Sequence, residues 1–408
     1  MLVFSIGESR LFEHLIRLKE DAILGLMAAY RADPSPLKVD LGVGVFRDLS
    51  GNTPVLDCVR SAELAVLAAQ STKSYVAAAG RAEFNEAVGD LVLGASRTAS
   101  ERSRARIVQA PGGCGALRLG AELIKSAAPA AQVYLSDPTW GNHAPLLGNT
   151  GLRLEPYPYY DTSAHRLRFD AMLEKLDAAA PGGVVLLHGC CHNPTGADLS
   201  LDQWRVLVEM LGRRRLMPFL DLAYQGFGLG LETDVAGVRL VTQNLPESLV
   251  AVSYSKNLGV YRERLGALIA VGENDSRAQT MQSHVLQIAR GIYSMPPDHG
   301  AAIAAHIFAH APLRAAWIQE LDGMRSRIDA MRSLLAAHLR RSTGGTEFDF
   351  LESQRGMFSQ LGVSGEAVDR LREQHHIYMV RDSRMNVAGV MPHNAEYVAE
   401  AIASVLRT

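Results

Sequence analysis

The sequence predicts an α/β protein: a mostly parallel, seven-stranded sheet layered by helices, accompanied by a smaller α+β domain. Three observations predict this fold. Short β-rich apolar runs alternate with helical patterns between residues 105 and 271. Several of these runs end in polar or ionisable residues. A long amphipathic pattern follows them and can form a helix that reaches a second domain.

The predicted strands are rich in apolar residues, as is typical of parallel strands covered on both faces. Three of them end in His188, Asp221 and Ser253, and sheets of this kind bind ligands at the carboxyl ends of their strands. We therefore expect one central domain to carry the site. In chain order the runs are Arg106 to Gln109, Gln132 to Ser136, Leu152 to Pro156, Val184 to His188, Met217 to Asp221, Leu249 to Ser253 and Gly266 to Val271.

The chain has 408 residues, which exceeds the usual size of one compact core and predicts two domains. We expect a large domain over 51–320 and a small domain made of 1–50 and 321–408. The polar stretch Arg340 to Thr346 predicts a loop. Apolar residues spaced three or four apart predict the long helix: Leu313, Trp317, Leu321, Met324, Ile328, Met331 and Leu335.

Composition excludes several classes of partner. Lys and Arg number 41 against 43 Asp and Glu, a balance without the basic footprint of a nucleic-acid or anionic-membrane protein. The apolar start Met1 to Ile6 lacks the basic lead and the length of a signal peptide, and no stretch approaches a membrane span. We expect a cytoplasmic protein with no nucleic-acid or membrane partner.

The cysteines predict neither disulfides nor a metal site. The run Cys190, Cys191, His192 lacks the spacing of a zinc site. We expect all four to be reduced: Cys58, Cys114, Cys190 and Cys191.

The run around Lys256 carries the strongest chemical signal. Lys256 follows a predicted buried strand, and an amine at such a position can form a Schiff base. Ser253 and Ser255 offer hydroxyls and Arg264 a bidentate guanidinium, which together suit a phosphate monoester. The pattern suggests pyridoxal phosphate. A lysine between serines is also common in solvated loops, so this run alone leaves both interpretations open.

A second phosphate contact is predicted where Pro111 to Gly115 precedes the helical run Ala116 to Lys125. Backbone amides at a helix start can face an anion, although a plain turn is the commoner explanation of two glycines. Asp221 would be costly to bury unless it faced a cation such as a protonated pyridine nitrogen.

Three further residues can contact a planar cofactor. Tyr224 and Asn193 can donate hydrogen bonds to an oxyanion, and Trp140 offers a flat face for stacking. A packed tyrosine, an Asx turn and a core tryptophan are the alternative roles.

Six separated strings, taken together and in order, resemble the bacterial aspartate and aromatic-amino-acid aminotransferases. These are class I aminotransferases with the pyridoxal-phosphate-dependent transferase fold type I. The likeness runs from about Leu24 to the C-terminus. The strings are Asp137 to His143, His188 to Gly196, Asp221 to Phe227, Ser253 to Gly259, Arg355 to Phe358 and Arg384 to Gly389.

The resemblance implies how pyridoxal 5'-phosphate is held. Lys256 would be its covalent anchor and a general base, and Asp221 would keep the pyridine nitrogen protonated with support from His143 and His188. Tyr224 and Asn193 would bind the ring oxygen, Trp140 would stack on the ring, and Tyr75 would reach the phosphate of the neighbouring subunit in a homodimer. The other phosphate ligands implied are Gly113, Cys114, Ser253, Ser255 and Arg264.

Substrate binding is also implied by the resemblance. Arg384, with the amide of Gly44 nearby, would grip the α-carboxylate, and Arg290 would reach across the dimer to a side-chain carboxylate. Trp140 and Asn193 would line the same place. Without the surrounding match, a surface salt bridge would be the preferred explanation of either arginine.

Departures from the family pattern lie mainly around the predicted side-chain pocket. Cys114 replaces the usual threonine or serine and is a weaker hydrogen-bond donor to the phosphate. Met295 adds adaptable apolar surface beside Arg290, whereas Arg47 and nearby residues resemble the dicarboxylate-specific members. Asp382 stands before Arg384 where relatives have small residues. Val45 and Thr53 also resemble the dicarboxylate-specific members. Phe46 takes a position that is commonly tyrosine, and Ser74 precedes Tyr75 at a position where relatives often differ by substrate.

The expected function is transfer of the amino group of aspartate, phenylalanine or tyrosine to 2-oxoglutarate by a ping-pong mechanism through pyridoxamine phosphate. An enzyme for aromatic amino acids with little aspartate activity is one alternative. A lyase or decarboxylase on the same fold is another. A cofactor-binding regulatory module is a third, but the first 24 residues are too short for an added DNA-binding segment.

Overall fold

The computed structural model describes residues 11–18 and 22–407, and the segment Met1 to Ile6 lies outside these ranges. The strands are β1 Val39–Asp40, β2 Ala105–Pro111, β3 Gln132–Asp137, β4 Arg153–Pro158, β5 Tyr160–Asp161, β6 Arg166–Leu167, β7 Val184–His188, β8 Met217–Leu222, β9 Ser248–Ser253, β10 Leu265–Val271, β11 Phe358–Gln360, β12 Ile377–Tyr378 and β13 Arg384–Asn386.

The helices surround this framework, and a short 3-10 helix covers Val387–Gly389. They are α1 Ala22–Ala32, α2 Asp57–Ala69, α3 Ala82–Leu93, α4 Ala99–Arg104, α5 Gly112–Ala127, α6 His143–Gly148, α7 Phe169–Asp177, α8 Leu201–Arg214, α9 Ala236–Asn244, α10 Asp275–Ile292, α11 His299–Ala309, α12 Ala311–Thr343, α13 Phe350–Ser353, α14 Gly365–His375 and α15 Ala395–Leu406.

The central sheet has seven strands in the order β2-β10-β9-β8-β7-β3-β4. All neighbours are parallel except β10, which runs antiparallel to both β2 and β9. Each of the seven strands predicted from the sequence is present within two residues of its predicted ends. The predicted α/β fold with a mostly parallel sheet is confirmed.

The position of β9 between two helical layers explains why its sequence is nearly all apolar. All six of its residues are buried. Val250 and Val252 belong to the core on one face of the sheet, whereas Leu249 and Ala251 belong to the core on the other. Successive side chains of a strand point to opposite faces, so a strand between two helical layers needs apolar residues at both sets of positions.

Helix α12 confirms the predicted amphipathic helix but is longer than expected. Residues 340–343, predicted as part of a loop, continue the helix because Leu339 is fully buried and keeps the last turn packed. The helix ends at Gly344, which has a φ of +77° and therefore caps it in the left-handed region.

The C-terminal part is a mixture of short strands and helices. Strand β1 pairs in parallel with β12, and β11 pairs antiparallel with β13. The N-terminal strand thus joins the sheet elements of the last hundred residues, and β13 carries Arg384 at its start.

Two absences hold for the part of the chain that the structure describes. Over the ranges 11–18 and 22–407, no helix is both long and apolar enough to cross a bilayer. The four cysteines are unpaired, as expected from their spacing.

Candidate active site

A cavity of about 220 Å³ opens at the carboxyl ends of the parallel strands. Ionisable groups from β8 and from the turn after β9 meet there, which is where a doubly wound sheet binds its ligand. Most residues that the sequence assigned to a cofactor line it: Gly113, Cys114, Trp140, His188, Asn193, Asp221, Tyr224, Ser253, Ser255, Lys256 and Arg264.

A larger cavity, of about 680 Å³, lies at the opposite end of the sheet, beside the first residues of β7, β8 and β9. Its lining residues in the described chain include no lysine, aspartate or tyrosine. The smaller cavity is the candidate active site because it brings an amine, a carboxylate and a phenol together.

Asp221 is the penultimate residue of β8 and is 5% exposed. Its Oδ2 lies 2.9 Å from Nε2 of His143, and Nδ1 of the same ring lies 2.8 Å from Oγ1 of Thr139. A carboxylate can only accept, so Nε2 carries the proton and donates to Asp221. The contact fixes the carboxylate and leaves its negative charge at the floor of the cavity.

Electrostatics favour an ionised Asp221 despite its burial. Burial alone raises the pKa of this carboxyl, but the hydrogen bond and the charge of His143, with smaller contributions from His188 and Lys256, lower the pKa below the ordinary value. Burial lowers the pKa of Lys256, whereas Asp221 and Cys114 oppose that shift. The lysine therefore reaches its nucleophilic neutral form at a lower pH than a free amine does.

Lys256 lies beside the predicted phenol. Its Nζ is 4.8 Å from the ring centroid of Tyr224, and Tyr224 itself is 5% exposed. Burial raises the pKa of the Tyr224 hydroxyl, so this group keeps its proton and can donate a hydrogen bond into the cavity.

His188 lines the cavity without forming a hydrogen bond to Asp221. Its ring packs 5.1 Å from that of His143 and 4.1 Å from that of His192, and its Nε2 is buried without a partner. Burial lowers the pKa of His188 to about 3, so the imidazole is neutral near pH 7. It supports His143 by packing.

The opposite end of the cavity is built for an anion. Oγ of Ser253 donates to Oγ of Ser255 at 3.2 Å, and the start of α5 lies against Ser253. The guanidinium of Arg264 sits over Gly112, where a Cβ would approach its Nη2 to 2.8 Å. Gly112 has a φ of +70° and leads directly into the helix. A side chain at this position would be strained and would displace Arg264, so glycine leaves Arg264 and the helix amides beside one another.

Arg384 lies beyond the cofactor cavity and is 5% exposed. Its Nη2 donates to the carbonyl of Gly42 at 2.8 Å, and its Cζ stands 4.5 Å from the ring centroid of Phe358. A Cβ on Gly44 would meet the same ring at 2.8 Å. Nε of Arg384 is buried without a partner. Arg384 and Gly44 thus meet across Phe358.

The loop that contains Gly44 is hydrogen-bonded both to β13 and to a residue of the cofactor cavity. Nδ2 of Asn386 donates to the carbonyls of Val43 and Val45 at 2.6 and 2.8 Å. The amide of Phe46 donates to the hydroxyl of Tyr261 at 2.8 Å, and Tyr261 lines the cofactor cavity. The loop therefore has a fixed position between Arg384 and the cavity.

Tyr75 and Arg290 are not brought to the cavity within one chain. Tyr75 is 91% exposed, and Arg290 is exposed in the last turn of α10. The Arg290 guanidinium bonds to Oγ of Ser294, and Sδ of Met295 accepts from the amide of Val76 at 3.3 Å. The segments that carry Tyr75 and Arg290 are therefore neighbours.

Sequence reasoning missed three residues of the site. Thr139 orients His143, Tyr261 lines the cavity and holds the Gly44 loop, and Phe358 stacks on Arg384. Thr139 and Phe358 lie within strings that carried the family resemblance. Tyr261 lies between Lys256 and Arg264, so its place in that run was a usable signal.

The arrangement fits pyridoxal phosphate. One end offers a guanidinium, two hydroxyls and helix amides for a phosphate dianion, the other offers an ionised carboxylate for a protonated ring nitrogen, and Lys256 lies between. Two groups of potential metal ligands occur among the described residues: His143, His188 and Asp221, which belong to this site, and Cys190, Cys191 and Asp234.

Comparison with known proteins agrees with this geometry. The family model described as aminotransferase class I and II matches residues 36–402. The chain is 44% identical over 385 residues to an aromatic-amino-acid aminotransferase of Paracoccus denitrificans, covering 94% of this chain and 97% of the relative. It is 42% identical over 396 residues to an aspartate aminotransferase of Escherichia coli K12, covering 97% of this chain and 100% of the relative.

Solved structures agree as well. The aromatic-amino-acid aminotransferase from Burkholderia pseudomallei, covalently bound to pyridoxal phosphate, superposes with a TM-score of 0.94 at 43% identity, covering 97% of this chain and 99% of that one. The fold, the clustered site residues and these matches lead to one conclusion: the chain belongs to the aminotransferase class I and II family.

Proposed function

We propose that this pyridoxal-phosphate-dependent aminotransferase moves the amino group of L-aspartate and of aromatic L-amino acids to 2-oxoglutarate by a ping-pong mechanism. The observation that carries the proposal is the meeting of Lys256, Asp221 and the anion-binding start of α5 in one cavity. The names of the similar proteins, aromatic-amino-acid and aspartate aminotransferase, support the two substrate classes.

The cofactor supplies an aldehyde that takes up an amino group and a ring that withdraws electrons from the bond being broken. Arg264, Ser253, Ser255 and the amides of Gly113 and Cys114 would hold its phosphate. Asp221, fixed by His143, would keep its ring nitrogen protonated, since a buried carboxylate stabilises a nearby cation. Asn193 and Tyr224 would bind the ring oxygen, and Trp140 would stack on the ring.

Lys256 has two tasks in this proposal. Its amine would anchor the cofactor and, once released, would take the proton from the substrate α-carbon and later return it. Burial lowers the pKa of this amine, which favours the neutral form that accepts the proton. The ring centroid of Tyr224 lies 4.8 Å from Nζ, and burial raises the pKa of the Tyr224 hydroxyl so that it keeps its proton.

Substrate orientation comes from Arg384. The buried, unpartnered Nε and the neighbouring Nη of this guanidinium can offer a bidentate contact to an α-carboxylate, with Gly44 packed against the same Phe358 ring. Such a contact is strongly stabilising because water is largely excluded from this site.

We further propose a homodimer in which Arg290 and Tyr75 serve the neighbouring subunit's site. Both side chains are exposed in one chain, and the Met295–Val76 contact keeps their segments together. Arg290 would bind the side-chain carboxylate of aspartate, and Tyr75 would reach the phosphate. Met295 supplies apolar surface that accommodates a ring, so a preference for aromatic substrates with little aspartate activity is the second candidate.

The test is a single-turnover panel. Holoenzyme is mixed with aspartate, glutamate, phenylalanine, tyrosine or a branched-chain amino acid without an acceptor, and conversion of the cofactor to its amino form is followed by absorbance. Fast conversion by aspartate and by both aromatic amino acids is expected. If the amino acid lost its carboxyl group or its side chain and the amino form of the cofactor did not accumulate, the enzyme would instead be a decarboxylase or a lyase.

Two coarser assignments complete the proposal. We propose a division between a large domain, 51–320, and a small domain made of 1–50 and 321–408, with α12 spanning the boundary. In support, Trp317 donates to the carbonyl of Asn257 in the cofactor-binding part, whereas Arg332 of the same helix bonds to the segment 351–359.

We also propose a cytoplasmic location, in keeping with the reduced cysteines.

A further inference from the structure

Although the nearby carboxylates of Asp329 and Asp198 attract its charge, Arg332 is a buried cation that donates hydrogen bonds only to uncharged groups. Its side chain lies in the middle of α12 and is 1% exposed. Within residues 11–18 and 22–407 it forms no salt bridge. A buried charge of this kind is tolerated only when hydrogen bonds compensate the lost water, so its partners indicate what it holds.

All its partners lie in one segment, residues 351–359. The guanidinium donates to the Oγ of Ser359 and to four backbone carbonyls. The distances are 3.3 Å to Leu351, 3.4 Å to Arg355, 2.8 Å to Gly356, 2.6 Å to Phe358 and 2.6 Å to Ser359. The planar fork of an arginine can serve several acceptors at fixed angles, which the point charge of a lysine cannot do.

The segment places one aromatic ring. Phe358 lies two residues after Gly356, whose φ of +76° turns the chain, and the carbonyl of Phe358 accepts the shortest of the Arg332 bonds to the backbone. The Phe358 ring stands 4.5 Å from the Cζ of Arg384 and blocks any side chain at Gly44. It also lies edge-on to Tyr224, with centroids 5.9 Å apart.

Arg384 depends on this ring for its orientation. Among the described residues its guanidinium forms one hydrogen bond, to Gly42, and it stacks on the face of Phe358. A cation–π contact is strongest where water is excluded, so the Phe358 face favours one orientation of this nearly buried guanidinium.

We propose that Arg332 is a positioning residue for substrate binding: it fixes the 351–359 segment, and through Phe358 it sets the plane of the Arg384 guanidinium that receives the α-carboxylate. The inference rests on the proposed function of Arg384. It concerns affinity for the carboxylate and leaves the proton transfer at Lys256 unaffected.

The main variant is Arg332→Lys, which keeps the charge and removes the fork. The KM for phenylalanine and the Kd for 3-phenylpropionate, a monocarboxylate without an amino group, are each expected to rise about tenfold, equivalent to about 1.4 kcal/mol. The kcat and the absorbance spectrum of the bound cofactor should stay within about twofold of wild type. A purely structural role would lower the melting temperature without changing KM or Kd.

Ser359→Ala serves as the second variant, because it removes one acceptor and leaves Arg332 in place. It should raise the same two constants about threefold, as expected for one hydrogen bond. Arg340→Lys is the matched control, since Arg340 lies on the same helix but pairs with Asp349 at the surface. It should leave both constants unchanged.

Combining Arg332→Lys with Phe358→Leu tests the route of the effect. If Arg332 acts through the ring, the double variant should be little worse than Phe358→Leu alone. Unchanged KM and Kd in Arg332→Lys, or fully additive losses in the double variant, would overturn the inference. If Arg332→Lys does not fold, an unchanged Kd for 3-phenylpropionate in Ser359→Ala would likewise overturn the inference. The Kd is measured without turnover, so absence of transamination by wild type would count against the proposed function and not against this inference.

Discussion

Nε2 of His143 lies 2.9 Å from Oδ2 of Asp221, and both groups are shielded from water. The contact makes the carboxylate a fixed negative charge at the end of β8. Because burial opposes that charge, the hydrogen bond from His143 is what keeps the Asp221 pKa below its usual range.

Replacing Asp221 by Asn should reduce turnover by about a thousandfold, because losing one partner of a buried charge pair costs about 3–5 kcal/mol. Steady-state kinetics with saturating cofactor measure the loss. Asp221→Glu, which keeps the charge, should retain far more activity. Equal losses in the two variants would exclude a role for the charge.

Lys256→Ala should abolish multiple turnover, because both the anchor and the proton carrier are removed. The cofactor should then be removable by dialysis, and borohydride treatment followed by peptide mapping should find no modified lysine at this position. Wild type should be modified at Lys256. A fully active alanine variant would contradict the proposed mechanism.

Arg290→Leu should lower kcat/KM for aspartate by about a hundredfold and for phenylalanine by only a few fold, since only aspartate has a second carboxylate to lose its partner. Steady-state kinetics with each amino acid give the two ratios. Equal losses for the two substrates would refute the assignment.

Mixed dimers test whether Arg290 acts across an interface. Arg290→Leu and Lys256→Ala chains are unfolded and refolded together. If Arg290 serves its neighbour, half of the dimers hold one intact site, so about a quarter of the wild-type aspartate activity should return. If it serves its own chain, no site is intact and the activity stays low.

Cys114→Thr should tighten cofactor binding about two- to tenfold, because a hydroxyl is a better donor than a thiol and one hydrogen bond is worth about 0.5–1.5 kcal/mol. In the present structure Sγ of Cys114 accepts a long contact of 3.9 Å from Asn142. Titration of apoenzyme measures the Kd, with Cys114→Ala as the control without a donor. Equal affinities in all three proteins would exclude this role.

His188 should make stability depend on acidity. Burial depresses its pKa in the folded state to about 3 from 6.5, so between these values the native chain binds fewer protons than the unfolded chain. Stability therefore rises with pH across this window and is lost as pH falls. His188→Gln should reduce the slope by up to about 1.4 kcal/mol per pH unit in urea unfolding. An unchanged slope would show that the ring is not held neutral.

The strands and the Lys256 run could be predicted from sequence because both depend on local pattern: an apolar strand buried on two faces, followed by hydroxyls and an amine. The role of Phe358 could not be predicted in this way, since it comes from contacts with Arg384 and Gly44, which are distant in sequence. The place of Arg290 and Tyr75 in the proposed dimer depends on a second chain, so only the family resemblance, and no local pattern of residues, pointed to it. The extension of α12 to Thr343 depended on the burial of Leu339.

The cavity also has a direction. Arg264 and the α5 amides make one end positive, and Asp221 makes the other negative, so a ring with a phosphate arm fits in a single orientation. Of the residues in the described chain that line it, Lys256 is the sole amine. A proton that it delivers to a flat carbon reaches one side only, so the amino acids formed should have a single handedness.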